Sequence, residues 1–136
     1  MKSERLVVTR LGGPEDLNGT EMPDPGWNDI EDAIKRLNGS NCTLVTLGIG
    51  PPPVPHMAIG GGQNDKYIVY TTVDNAVFYK LININVLEGK CVLVAGGQQG
   101  KYDLKICVSL EDALRAAKTY AHSGNNDPSL VWEQQG

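Results

Sequence analysis

The chain reads as an α+β fold: an antiparallel β-sheet with one helix on its N-terminal side and one on its C-terminal side packed against it. Two observations predict this. First, helical periodicity is found near each end, with a series of short strand patterns between and no βαβ alternation. Second, a seven-residue pattern, GGQ-x-x-KY, occurs twice, opening at Gly61-Gly62 and again at Gly96-Gly97-Gln98. Each copy follows an apolar run and leads into a second run of strand character. Each therefore reads as a strand, a glycine-rich turn and a returning strand. Adjacent glycines tolerate φ > 0, which tight hairpin turns demand.

Residues 5–9 could form a first strand, and residues 12–26, with several glycines and prolines, read as a loop. Asn28 opens the first helix. Asn28 and Glu31 have capping-box spacing, and Asp29, Glu31 and Asp32 place negative charge where the helix dipole favours it. Ile30, Ala33, Ile34 and Leu37 make one apolar face, and Gly39 supplies the stop. Strands are expected at 42–47, 56–59, 66–72, 76–82, 90–95 and 105–108, all rich in Val, Ile, Thr and Tyr. The run Pro51-Pro52-Pro53-Val54-Pro55 cannot join a central ladder and reads as an extended connector. Ser109, with Asp112, opens the second helix. Its apolar face is Leu110, Ala113, Leu114, Ala117 and Ala121, and Gly124 ends it. A turn at 126–129 leads to a short apolar tail segment.

The 136 residues suit one domain, over 1–136, with a real core. A net charge of −4 argues against non-specific nucleic-acid binding, which needs a basic face. Cys42, Cys91 and Cys107 are an odd number, widely spaced and without a C-x-x-C, so neither a zinc site nor a disulfide framework is expected. They read as small buried hydrophobes. The first residues lack the apolar core of a signal peptide, and no run is long enough to span a membrane. A cytoplasmic setting is expected.

Chemistry is sparse. Neither glycine cluster has nucleotide-loop spacing or leads onto a helix N-terminus. The GGQ tripeptide also occurs in peptide-chain release factors, but two copies inside hairpins of an acidic chain argue against that role. His56 and His122 read as surface histidines, and the pairs Asp29/Asp32 and Glu111/Asp112 have a capping explanation. No catalytic residue, metal or cofactor is expected. Trp27 and Trp132 read as core anchors, each needing a partner for its ring N–H.

In sum, the chain resembles the Imm1 family of immunity proteins from bacterial polymorphic toxin systems. The likeness rests on Trp27 before the first helix, Gly60-Gly61-Gly62 with the tyrosine strand after it, and Gly96-Gly97-Gln98. It continues through 111–118, Ser123-Gly124 and Asp127-Pro128-Ser129-Leu130 to the closing Trp132-Glu133. It covers a core of about 27–133. The resemblance implies an α+β protein that binds a cognate toxin domain, basic and of the deaminase superfamily, and blocks its active site stoichiometrically. It implies no direct contact with nucleic acid or membrane. Blocking needs no catalytic residue. An acidic blocker complements the positive groove of an enzyme acting on nucleic acid, and Asp29, Glu31 and Asp32 are the first candidates for that contact. The signature residues Trp27, Gly61, Gly62, Gly96, Gly97, Gln98, Trp132 and Glu133 read as structural. The alternative is a small α+β enzyme or ligand-binding domain using a cleft beside the glycine turns.

Overall fold

The computed structural model of the chain describes residues 6–13, 21–50, 55–85, 88–95 and 98–135. Its architecture is a mostly antiparallel sheet with two helices, an α+β fold. In chain order the elements are β1 (Arg10–Gly12), β2 (Glu21–Pro23), α1 (Trp27–Lys35), β3 (Leu44–Gly48), β4 (His56–Gln63), β5 (Lys66–Thr72), β6 (Phe78–Leu81), β7 (Lys90–Ala95), β8 (Gln98–Asp103), α2 (Leu110–Ser123) and β9 (Trp132–Gln135). Seven strands form one sheet in the order β2-β1-β3-β4-β5-β6-β9, and β7 and β8 pair separately.

Alternation along the strands gives the sheet two different faces. Leu47, Met57, Ile59 and Val69 point to one side, where Ile30 and Ile34 of α1 and Ala113, Ala117 and Ala121 of α2 join them in the buried core. Leu44, Ala58, Ile68 and Tyr70 belong to the other side. The β7–β8 hairpin lies across that second face, and the small residue at Gly60 makes the crossing possible. A Cβ at Gly60 would stand 2.6 Å from the Ala95 Cβ, closer than carbon atoms pack.

Several local expectations are corrected. The first described strand is at Arg10–Gly12, with residues 6–9 outside it, and a second short strand at Glu21–Pro23 lies antiparallel to it within the expected 12–26 loop; Arg5 and residues 14–20 lie outside the described residues. Helix α1 starts one residue before Asn28. Its N-cap is Gly26, whose N–H donates to Asp29 Oδ2 at 2.8 Å, so Asp29 rather than Glu31 closes the first turn. The helix also stops before Gly39, at the Arg36 cap. Helix α2 has the expected ends: Ser109 Oγ accepts from the Asp112 N–H at 3.2 Å, and Gly124 caps it in the left-handed conformation.

The two heptapeptides are used differently. In the first, Gly61 and Gly62 are still part of β4, which bulges between Gly61 and Gln63. The turn is Asn64-Asp65, with φ +55° and +56°, the left-handed pair of a type I′ hairpin. Gly62 has φ +104°, and a Cβ there would stand 2.4 Å from the Leu37 carbonyl oxygen. In the second copy, Gln98 already belongs to β8 and pairs with Ala95, while Gly96 and Gly97 lie outside the described residues. The returning strand is 98–103; the expected strand at 105–108 is a 3-10 turn at Leu104–Ile106 followed by a bridge from Val108 to Tyr67. The proline run 51–54 also lies outside the described residues. Among the described residues, no helix is long and apolar enough to cross a membrane.

Candidate functional site

The second face of the sheet, roofed at one end by the hairpin, leaves a half-open groove of about 450 Å³. Leu44, Ile68, Tyr70 and Phe78 form its floor, and Tyr102 and Ile106 form the wall beyond the sheet. Tyr70 stacks edge-on against Phe78 at 5.4 Å and against His56 at 5.9 Å. That arrangement suits the ring quadrupoles and fixes the aromatic floor. Burial among these groups raises the Tyr70 hydroxyl pKa above its ordinary value, so it stays a neutral hydrogen-bonding group. Lys80 is the one charged side chain among the described lining residues. A concave apolar surface with aromatic side chains and a single cation can bury an apolar segment and orient it through one acceptor.

The acidic cluster of α1 lies on the helix side of the sheet, away from this groove. Two of its three carboxylates have internal partners. Asp29 caps Gly26, and Glu31 pairs with Lys35 at 3.2 Å on an exposed surface. Asp32 is exposed and, with Asp29, Met22 and Arg36, borders a shallow hollow. The groove residues went unnoticed in the sequence, yet a signal was there. Tyr67-Ile68-Val69-Tyr70 is an unbroken apolar and aromatic run rather than an alternation, which marks a strand covered on both faces.

The signature residues are brought together only in part. Trp27 begins α1, packs against the core, and carries the Lys118 ammonium 5.8 Å from its ring centroid. Trp132 opens β9 beside Leu81, packs against the same core, and donates its ring N–H to the Asp127 carbonyl at 3.0 Å. Glu133 accepts from Lys105 Nζ at 3.2 Å. The carboxylate of Asp127 accepts from Thr119 Oγ1 at 2.7 Å and from the Ser129 N–H and hydroxyl at 2.8 and 2.6 Å. These donors, the Ser129 hydroxyl foremost, hold its pKa below the usual carboxylate range. Thus the Asp127-Pro128-Ser129-Leu130 turn fastens the sheet-edge strand β9 to α2.

No protein of curated function matches the chain. A family model does, described as immunity protein Imm1, over residues 18–134. The match begins before the Trp27 limit of the likeness read from sequence and runs through the proline segment. On this match the chain belongs to the Imm1 family of immunity proteins.

Proposed function

We propose that the protein neutralises a cognate toxin domain of the deaminase superfamily by binding it one-to-one and closing its active-site entrance. The observation that carries the immunity role is the family match across nearly the whole chain. The groove supports a contact surface: it offers aromatic anchors in a concave setting, the arrangement in which binding energy concentrates. Lys80 then meets a carbonyl or carboxylate of the toxin. Asp29, Glu31 and Asp32, on the other side of the sheet, act at a distance, adding negative field that attracts a basic partner. The protein itself performs no chemistry in this reading and acts in the cytoplasm as one domain.

The test is co-purification of the chain with the toxin domain encoded beside it, followed by an activity assay of the complex. The expected result is a one-to-one complex, inactive, with on the order of 1,200–2,000 Å² buried in total. A toxin that is inhibited while its pocket still takes up substrate would overturn occlusion. One observation favours a second reading, a ligand-binding domain: the groove lies beside Gly60 and has room for a small molecule. A chain that binds no toxin but gains thermal stability from small amphipathic anions would favour that reading.

A further inference from the structure

Two thiols that do not line the groove stand in contact. Cys91 Sγ lies 2.7 Å from Cys107 Sγ. Cys91 is the second residue of β7 and is half-buried; Cys107 follows the 3-10 turn and is buried. Both backbones are held in place. Cys91 faces Tyr102 across the β7–β8 ladder. The Cys107 N–H donates to the Leu104 carbonyl at 3.0 Å, and its carbonyl accepts from Asn83 Nδ2 at 3.1 Å. The neighbouring Val108 is bonded to Tyr67 in both directions at 2.8 Å. At the base of the hairpin the Leu104 N–H donates to Gly89 at 2.9 Å. A disulfide holds its sulfurs at about 2.05 Å, so the two sulfurs, 2.7 Å apart, already stand close to bonding distance.

We propose that Cys91 and Cys107 are a site of reversible disulfide formation that staples the β7–β8 hairpin to the segment leading into α2. The oxidant is a small-molecule disulfide. The more accessible Cys91 reacts first: as thiolate it attacks one sulfur of the oxidant, forms a mixed disulfide and expels one thiolate. Cys107 then attacks the Cys91 sulfur, the mixed S–S bond breaks, and the second small thiolate leaves. The two protein thiols are oxidised, the small disulfide is reduced to two thiols, and the two protein protons end on them. Burial, and then the contact with Cys91, push the Cys107 thiol up to about 12, so it stays protonated at neutral pH and does not make the first attack. Tyr102 and Ala95 of the hairpin wall the groove, so the staple would fix that wall. This last consequence rests on the toxin reading; the crosslink does not.

The experiment treats the reduced full chain with oxidised glutathione, blocks remaining thiols with N-ethylmaleimide in denaturant, and measures intact and tryptic masses. The expected product has lost two hydrogens, keeps one alkylatable thiol, Cys42, and joins tryptic peptides 91–101 and 106–115. Dithiothreitol reverses it. Cys107→Ser is expected to retain glutathione on Cys91 as a stable mixed disulfide, and Cys91→Ser to form no crosslink. Wild-type chain carrying only glutathione adducts, or three alkylatable thiols, would overturn the proposal. Toxin binding by the oxidised and reduced forms is read separately. Its absence from both would fail the toxin reading and leave the crosslink standing.

Discussion

Asp127 carries more of the C-terminal structure than its place in a turn suggests. Its carboxylate takes three hydrogen bonds, and its backbone carbonyl takes the Trp132 ring N–H. The residue is nearly buried, at 8% exposure, so an amide there leaves one of these donors without its charged acceptor. Asp127→Asn is expected to cost about 1–2 kcal/mol, read from denaturant unfolding at pH 7. The pH dependence has a fixed sign. The folded-state pKa lies below the unfolded value of about 3.9, so the contribution is full above that value and is lost as pH falls through the folded pKa. The stability gap between wild type and Asp127→Asn should therefore close between pH 5 and the acid limit of folding. A gap that is constant with pH would remove the carboxylate charge from the account. The sequence showed a turn at this place, because Asn, Asp, Pro and Ser cluster there. It did not show the hub, because Thr119 lies on another element and only the fold brings it to Asp127.

Elements were legible wherever a periodic pattern had a mechanism behind it. Strand 66–72 and strand 90–95 fall where β-branched content puts them, and both ends of α2 follow from Ser109 and Gly124. The failures come from competition between equally good signals. Asn28 with Glu31 has the spacing of a capping box, but the Asp29 carboxylate bonds the Gly26 N–H instead and starts α1 at Trp27. The repeated heptapeptide offers two turn dipeptides, Gly-Gly and the pair after glutamine. The first copy turns at Asn64-Asp65, and Asp65 Oδ1 also accepts from the Leu110 N–H at 3.0 Å, tying that turn to the start of α2. The glycines of β4 serve close approaches instead: Gly60 that of the hairpin and Gly62 that of the Leu37 carbonyl. Gly60→Ala is expected to destabilise the fold by about 1–3 kcal/mol through contact with Ala95. Ala95→Gly in the same chain should recover most of that loss. A double variant no more stable than Gly60→Ala alone would show that the two positions do not touch.

For the molecule as a whole, two surfaces on opposite sides of one sheet propose different contributions to toxin binding, and kinetics separates them. The net charge of −4 is spread over the chain, whereas the groove holds no carboxylate among its described lining residues. In the proposed complex, long-range field and short-range contact would therefore come from different places. Field acts before contact and changes the association rate; desolvated aromatic contact acts after it and changes the dissociation rate. Neutralising α1 with Asp29→Asn, Glu31→Gln and Asp32→Asn should slow association by roughly two- to fivefold at low salt. That effect should vanish near physiological salt, where the field reaches only about 8 Å. Dissociation should stay unchanged. Truncating the groove floor with Phe78→Ala should leave association unchanged and speed dissociation by about tenfold or more, at every salt concentration. Circular dichroism and melting of each variant keep binding loss apart from unfolding. The opposite pattern, with α1 governing dissociation and a folded Phe78→Ala binding like wild type, would move the toxin contact to the helix side. Only the three-dimensional pairing of residues suggests the proposed division of roles: the acidic run is visible in the sequence as charge, while the groove exists only once β6, β8 and the 3-10 turn meet.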